Sequence, residues 1–330
     1  MRIVFCIFGT IDQDAEDRLL IINTGQRTDI PAFYSRWFFN RIREGYVMAR
    51  NPYYPVKVTR YRLDPEVVDL IAFCTKNPAP MLDRLDELDA FRQFWFVTIT
   101  PYGNDIEPNV PPVPEVVESF RRLSEKVSAK RIGWRYDPIF LTERYSPDFH
   151  VQAFTRICEE LEGFTRQVVI SFIDLYEKTK VNFPGVRPVP ASVRTELGRR
   201  LGEIARKHGI RPYSCFEGQE LSKFGFDCTG CMTKEVLERA IGEELVIPAG
   251  ISYARPGCRC LIGNDIGAYN SCGHGCLYCY ANKDRELVRN TMRNHDPDSP
   301  FLIGHALPAD EVSDARQESW RSGQMVFSLC

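Results

Sequence analysis

Net charge is nearly absent from this sequence: 42 Lys and Arg against 44 Asp and Glu leave −2 over 330 residues. A chain so balanced has no general electrostatic attraction to nucleic acid or anionic lipid, although a local basic groove is compatible with it. Long apolar runs are missing too, and none approaches the roughly 18 residues that suggest a membrane span. The opening Ile3-Val4-Phe5-Cys6-Ile7-Phe8 is shorter than a usual signal h-region, and the acidic stretch Asp12 to Asp17 follows it with no small-residue cleavage site nearby. The expectation is a cytoplasmic chain without a membrane partner. Low-complexity tracts are lacking, and no repeat is evident beyond an alternation of strand-like and helix-like segments.

That alternation sets the fold class. With 44% hydrophobic residues the chain can bury one large core, which predicts one barrel-sized domain and a smaller appended region. Seven β-rich runs occur between residues 19 and 217: Leu20 to Thr24, Tyr46 to Ala49, Leu70 to Thr75, Phe94 to Thr100, Arg131 to Tyr136, Val168 to Ile173 and Ile210 to Ser214. Amphipathic stretches of helical length separate them, such as Pro31 to Arg43, with Asp29 as a possible cap, and Val193 to His208. Repeated βα units predict an α/β fold with a (β/α) TIM-type barrel, full or partial. An eighth run, Cys260 to Ala268, would complete it. The expected division is an N-terminal extension (1–18), a βα-barrel body (19–214) and a cysteine-rich cluster-binding region that completes the barrel (215–330). Pro108 to Pro114 and Pro184 to Pro190 read as surface connections.

Polar residues recur where the runs end: Arg27 and Asp29, Arg50 and Asn51, Lys76 and Asn77, Tyr102, Arg135 and Asp137, Asp174 and Tyr176, then Cys215 and Glu217. In a parallel barrel all those ends open on one face, which is the expected active site. Arg27, Arg50, Lys76 and Arg135 could bind carboxylate or phosphate oxygens there. Asp29, Asp137 and Glu217 could orient amines or hydroxyls or carry a proton. Arg135, Asp137 and Asp29 are the catalytic candidates, and Arg27, Lys76, Asn77, Asn270 and Tyr278 the cofactor-binding ones. Each could instead belong to a structural ion pair. Trp37, Trp95 and Trp134 read as core or wall.

Twelve cysteines crowd toward the C-terminal third of a large chain without export signals, a pattern that favours metal binding over disulfides. Cys6, Cys74 and Cys158 are scattered in apolar surroundings and read as buried thiols; Cys330 is unassigned. The segment Cys272-Gly273-His274-Gly275-Cys276-Leu277-Tyr278-Cys279 places three thiols as C-x-x-x-C-x-x-C, with an aromatic before the last. Such a glycine-containing loop can wrap a compact cubane and leave one iron without a protein ligand. A zinc site is the alternative. His274 is spare, structural or supporting.

Cys272, Cys276, Tyr278 and Cys279 resemble the cluster loop of radical S-adenosylmethionine enzymes, and the Tyr-Cys-Tyr-Ala ending resembles spore photoproduct lyase. The resemblance implies a 4Fe-4S cluster whose open iron binds S-adenosylmethionine, and an oxygen-sensitive enzyme that cleaves it reductively. In that superfamily the loop follows the first strand. Here it follows the last candidate strand, as in a permuted relative. Cys215, Cys228, Cys231, Cys258 and Cys260 form a second set, from which Cys215, Cys231, Cys258 and Cys260 are chosen as ligands of an auxiliary cluster. Structural zinc is the rival there.

Arg27-Thr28-Asp29-Ile30-Pro31-Ala32-Phe33-Tyr34, Thr75-Lys76-Asn77-Pro78-Ala79-Pro80, Thr100-Pro101-Tyr102-Gly103, Trp134-Arg135-Tyr136-Asp137-Pro138 and Asp265-Ile266-Gly267-Ala268-Tyr269-Asn270 together resemble the domain-of-unknown-function 1848 family. His295-Asp296-Pro297 and Ser299-Pro300 fit as well. This likeness implies an architecture and a cluster, and no particular substrate. The functional expectation is an iron–sulfur enzyme acting on a small molecule, fed by a reductase or ferredoxin-type electron donor. The alternative is a zinc or iron–sulfur protein that binds nucleic acid or only transfers electrons.

Overall fold

The structure is a computed structural model and describes residues 21–326 except 216, 250, 252 and 254–256. Its strands are β1 (Ile21–Asn23), β2 (Tyr46–Arg50), β3 (Lys57–Arg62), β4 (Leu70–Thr75), β5 (Gln93–Thr98), β6 (Ile132–Ile139), β7 (Gln167–Phe172), β8 (Arg211–Ser214), β9 (Glu243–Leu245), β10 (Asn264–Asp265), β11 (Glu311–Asp314) and β12 (Arg321–Met325). Seven of them form one parallel sheet in the order β10-β1-β4-β5-β6-β7-β8. Runs such as Gln-Phe-Trp-Phe-Val-Thr in β5 lack the alternation of a half-solvated strand, as expected where both faces are covered.

The helices are α1 (Ile30–Phe33), α2 (Ser35–Glu44), α3 (Val113–Val127), α4 (Pro147–Leu161), α5 (Glu177–Asn182), α6 (Ala191–Lys207), α7 (Lys234–Ile241) and α8 (Arg285–Arg293). The outer face of the sheet, including Ile71, Phe73, Trp134, Tyr136, Val168 and Ile170, packs on Trp37 and Phe38 of α2, Phe120 of α3, Phe154 of α4 and Leu201 of α6. Because side chains alternate across a strand, Arg135 and Asp137 project from the opposite face to Trp134 and Tyr136. That inner face carries Leu70, Ala72, Phe94, Phe96, Val169 and Tyr213, and it is covered by Met232, Val236, Leu237 and Ile241. Each such buried aliphatic side chain contributes about 1.5–3 kcal/mol.

Of the full or partial barrel expected, the closed form is corrected: the parallel sheet ends at β8 and β10, which do not pair. The segment after β8 occupies the gap through isolated hydrogen bonds, Ser214 N to Asp227 O at 3.0 Å, Arg259 N to Thr229 O at 2.8 Å and Leu261 N to Met232 O at 2.8 Å. Only Asn264 and Asp265 of the eighth run form a ladder, opposite Ile22 and Asn23 of β1. The second run is also misplaced by the barrel reading. β2 pairs antiparallel with β3, which pairs with β11 in a separate sheet. Its partner β3 buries Val58 and Tyr61, three residues apart and so on opposite faces, while Lys57, Arg60 and Arg62 are exposed, so it lacks the dense apolar run of a strand in the layer covered on both sides. The 1–18 extension, with Cys6, and the terminal Cys330 lie outside the described residues. No described helix is long and apolar enough to cross a membrane.

Candidate functional site

The C-terminal ends of the parallel strands converge on the loop that carries Cys272, Cys276 and Cys279. Asp29, the cap of α1, ties this face together: Oδ1 accepts from Ala32 N at 3.0 Å, while Oδ2 accepts from Lys76 N at 2.8 Å and meets His274 Nε2 at 2.8 Å. One carboxylate thus joins the loops after β1 and β4 to the cysteine loop. Further ties fix the loop: Asn109 Nδ2 to Gly273 O at 2.8 Å, Tyr34 Oη to Ser271 O at 2.6 Å and Leu277 N to Ile106 O at 3.0 Å. Asn270 stands at φ +58°, accepts from Lys283 N at 2.6 Å and shapes the loop entrance.

A buried polar network lies against Cys276. Glu107, 2% exposed, accepts from Lys76 Nζ at 2.9 Å, from Thr100 Oγ1 at 2.7 Å and from the Tyr278 hydroxyl. Lys76 Nζ also stands 5.7 Å from the Tyr278 ring centroid. Burial alone would lower the Lys76 pKa, but the Glu107 carboxylate and Cys276 outweigh it and raise it.

Burial raises the pKa of all three loop thiols, and neighbouring groups act the other way: the His274 backbone N–H at Cys272, the Lys76 charge at Cys276, and the backbone of Asn282 and Ala281 at Cys279. Donors on sulfur favour the thiolate, the form that ligates metal. The three sulfurs act on one another through charge. Asn282 Oδ1, beside Cys272, and Gln26 Nε2 and Thr28 Oγ1, in the loop after β1, are buried without a hydrogen-bond partner among the described residues. The donor set and these free polar atoms fit a cluster and a bound small molecule. Arg27 and Lys178 stand over the Tyr269 ring, at 5.8 Å and 5.2 Å from its centroid.

The second thiol set lies deeper, under the mouth on the inner face. Cys231 Sγ is 3.8 Å from Cys260 Sγ, with Cys215 beside Cys231 and Cys258 beside Cys260. Arg135 reaches this set as well as the mouth: Nη1 is 3.5 Å from Cys231 Sγ, and Nε donates to Asp137 Oδ2 at 3.1 Å. The Cys215 and Cys260 thiols, joined by Arg135 and opposed by burial, hold the Cys231 pKa well below its ordinary value. Asp137 Oδ1 accepts from the Ser171 hydroxyl. Cys228 faces elsewhere, with its sulfur 3.8 Å from Phe226 O. All ten described cysteines are free of disulfides. Among the described residues, no three His, Cys, Asp or Glu side chains already surround one ion position.

Two expected mouth residues do other work. Arg50 follows β2 out of the main sheet and binds Asp310 and, at 2.8 Å, His305 O. Asn77 closes a turn, accepting from Ala79 N at 3.2 Å. Arg27 lies along β10, with Nη1 3.2 Å from Asp265 O. Glu217 accepts from Phe172 N at 2.7 Å, and burial raises its pKa to about 7. Sequence reasoning missed Glu107, Thr100, Lys178, Ser171 and Asn282. Glu107 sits beside Pro108 in what reads as a wet connection, and no spacing marks it.

The family model for a domain of unknown function, DUF1848, matches residues 21–281. The chain belongs to the DUF1848 family. The match spans the sheet and both thiol sets of this DUF1848 protein, ending just after Cys279. No curated protein matches the sequence. Among solved structures, the carboxyl transferase domain of Rhizobium etli pyruvate carboxylase is similar at 10% identity with a TM-score of 0.25, over 69% of this chain and 38% of that one. The chain spans well under half of that domain's structure, and a score so low carries no argument about fold or function.

Proposed function

We propose that this DUF1848 protein is an iron–sulfur enzyme, with a cluster on Cys272, Cys276 and Cys279 facing a small-molecule substrate at the C-terminal mouth of the sheet. The observation that carries this reading is how the loop bearing these three buried sulfurs is fixed at the mouth, by Asp29, Asn109 and Tyr34, with the Lys76–Glu107 pair beside Cys276. Bound there, a 4Fe-4S cluster would keep one iron without a protein ligand and supply an electron for reductive cleavage of S-adenosylmethionine. The chain's own residues do the rest. Lys76, fixed by Glu107 and Thr100, sets positive charge beside Cys276. Arg27 and Lys178, both near the Tyr269 ring, suit a carboxylate or phosphate. Asp137, at the inner edge of the mouth, is the group placed to take or return a proton, and Arg135 orients it. A reductase or ferredoxin-type donor would supply the electron.

Anaerobic reconstitution with iron and sulfide, then dithionite reduction, tests this reading. The expected results are a reduced-cluster electron paramagnetic resonance signal that changes when S-adenosylmethionine is added, and formation of 5′-deoxyadenosine. Both should vanish in Cys276→Ala. Reconstituted protein with no such signal, or with equal product from the variant, rules the proposal out.

A further inference from the structure

We propose that Cys215, Cys231, Cys258 and Cys260 form a closed tetrathiolate site for a single tetrahedral ion of the zinc class, which fastens the cysteine-rich segment to the inner face of the sheet. The inference is independent of the reaction assigned to the other thiols. It begins with a distance. Metal–sulfur bonds of about 2.3 Å in a tetrahedron place two sulfurs about 3.8 Å apart. Cys231 Sγ and Cys260 Sγ are separated by 3.8 Å. A cubane gives each cysteine its own iron and holds the cysteine sulfurs well beyond mutual contact.

The backbone is built around the same sulfur. Cys260 Sγ accepts from Cys231 N at 3.1 Å and from Met232 N at 3.3 Å. A pair of N–H groups on one buried sulfur stabilises bound thiolate and orients it, as supporting hydrogen bonds do around metal ligands generally. Gly230 permits this approach: it stands at φ +147°, and a Cβ there would lie 2.8 Å from Cys260 Sγ. A tetrathiolate around a divalent ion carries net charge −2, and Arg135 supplies buried positive charge 3.5 Å from Cys231 Sγ. Cys215 neighbours Cys231 and Cys258 neighbours Cys260, so an ion held by the central pair would draw the two outer sulfurs around it.

The topology explains what such an ion would do. The ligands come from the end of β8, from the turn before α7 and from the approach to β10, so one ion would join both unpaired edges of the sheet to the layer that covers its inner face. Cys231 and Cys260 are 6% and 4% exposed and belong to the same apolar cluster as Leu237 and Phe96.

Metal and sulfide analysis of the full chain tests the proposal, with the variant Cys272→Ala/Cys276→Ala/Cys279→Ala separating the two sites. The expected result is one zinc per chain that persists in this triple variant and in Cys228→Ser, and falls at least tenfold in Cys231→Ser/Cys260→Ser. Should the double variant not fold, cobalt(II) added to the metal-stripped triple variant still reports: sulfur-to-cobalt charge-transfer bands with intense tetrahedral ligand-field bands are expected. Iron with equivalent acid-labile sulfide in the triple variant would show a cluster at this site and overturn the proposal. So would a triple variant that retains no metal and gives no tetrahedral cobalt spectrum. Loss of iron from the first site leaves both readouts intact, so failure of the proposed enzymatic reading is distinguishable from failure here.

Discussion

Glu107 gathers three donors on a single oxygen, from Lys76, Thr100 and Tyr278. The Lys76 and Glu107 side chains are 12% and 2% exposed, so removing the acid strands a cation away from water. Breaking a buried pair in this way costs about 3–5 kcal/mol. Glu107→Ala should lose that much stability in urea, and Glu107→Gln clearly less, because the amide oxygen still accepts from Thr100 and Tyr278. A loss below about 1 kcal/mol for Glu107→Ala would show that water reaches Lys76. His150 gives a pH-dependent test at the same scale. Its Nδ1 lies 2.8 Å from Tyr136 Oη and its Nε2 2.9 Å from Phe140 O, the pattern of a neutral ring that donates from Nε2. Burial lowers its pKa to about 4 from 6.5. Below the unfolded value the unfolded chain takes up a proton that the folded chain refuses, so stability falls as pH drops toward 4. The histidine should account for about 2 kcal/mol of loss between pH 7 and pH 5. Chemical denaturation at the two pH values, compared with His150→Asn, checks this; an unchanged pH dependence in the variant contradicts it.

At the scale of elements, the weakest junction is the two-residue ladder of β10 on β1. It depends on Gly263, which stands at φ +78° with Ile21 O only 2.2 Å from where a Cβ would be. Gly45, the C-cap of α2 at φ +74°, has open space around its missing Cβ. Gly45→Ala should therefore cost about 1 kcal/mol, the left-handed backbone term alone. Gly263→Ala adds a backbone collision and should cost at least twice as much, measured by guanidinium unfolding. Equal losses would mean that the β1–β10 contact contributes nothing to the folded state. The same comparison of elements shows what the sequence made readable. Six of the seven runs between residues 19 and 217 are strands of the main sheet, because a strand buried on both faces writes itself as a dense apolar block. Tyr46 to Ala49 has the composition of such a strand but turns back through Asn51, whose Oδ1 accepts from Tyr53 N at 2.9 Å and Tyr54 N at 3.1 Å. Pairing with a later strand decides which sheet it joins, and composition does not encode that. The cysteine loop was legible from spacing alone. Glu107, Thr100 and Lys178 were not, since tertiary convergence brings them to the thiols from separate loops.

Over the whole molecule, the inner face of the sheet is unusual in what covers it. A barrel would fill that space with side chains from its own strands. Here the described part of the chain between β8 and β10 lies over it, with α7, the short β9 and a 3₁₀ turn at Ser222–Phe224 as its regular elements. Its apolar contacts are concentrated in Val236, Leu237, Ala240 and Ile241, against Phe94, Phe96 and Tyr213. Outer helices α2, α3, α4 and α6 share a larger cluster with the opposite face. The two layers should accordingly open at different free energies, with the inner one opening first. Leu237→Ala, at a fully buried position, should cost about 2–5 kcal/mol and speed amide exchange in residues 226–262 together with the edges β8 and β10. Exchange in β5, β6 and β7 should change much less, because their outer face stays packed. Hydrogen-exchange mass spectrometry resolves the two regions, and uniform acceleration across the sheet would show that the layers unfold as one unit. If a metal fastens the inner layer as proposed, stripping it should reproduce the Leu237→Ala pattern in the unmutated chain. The ligand-bearing edges would then exchange fastest, since the ion joins β8 to the approach of β10 where the backbone supplies only isolated hydrogen bonds.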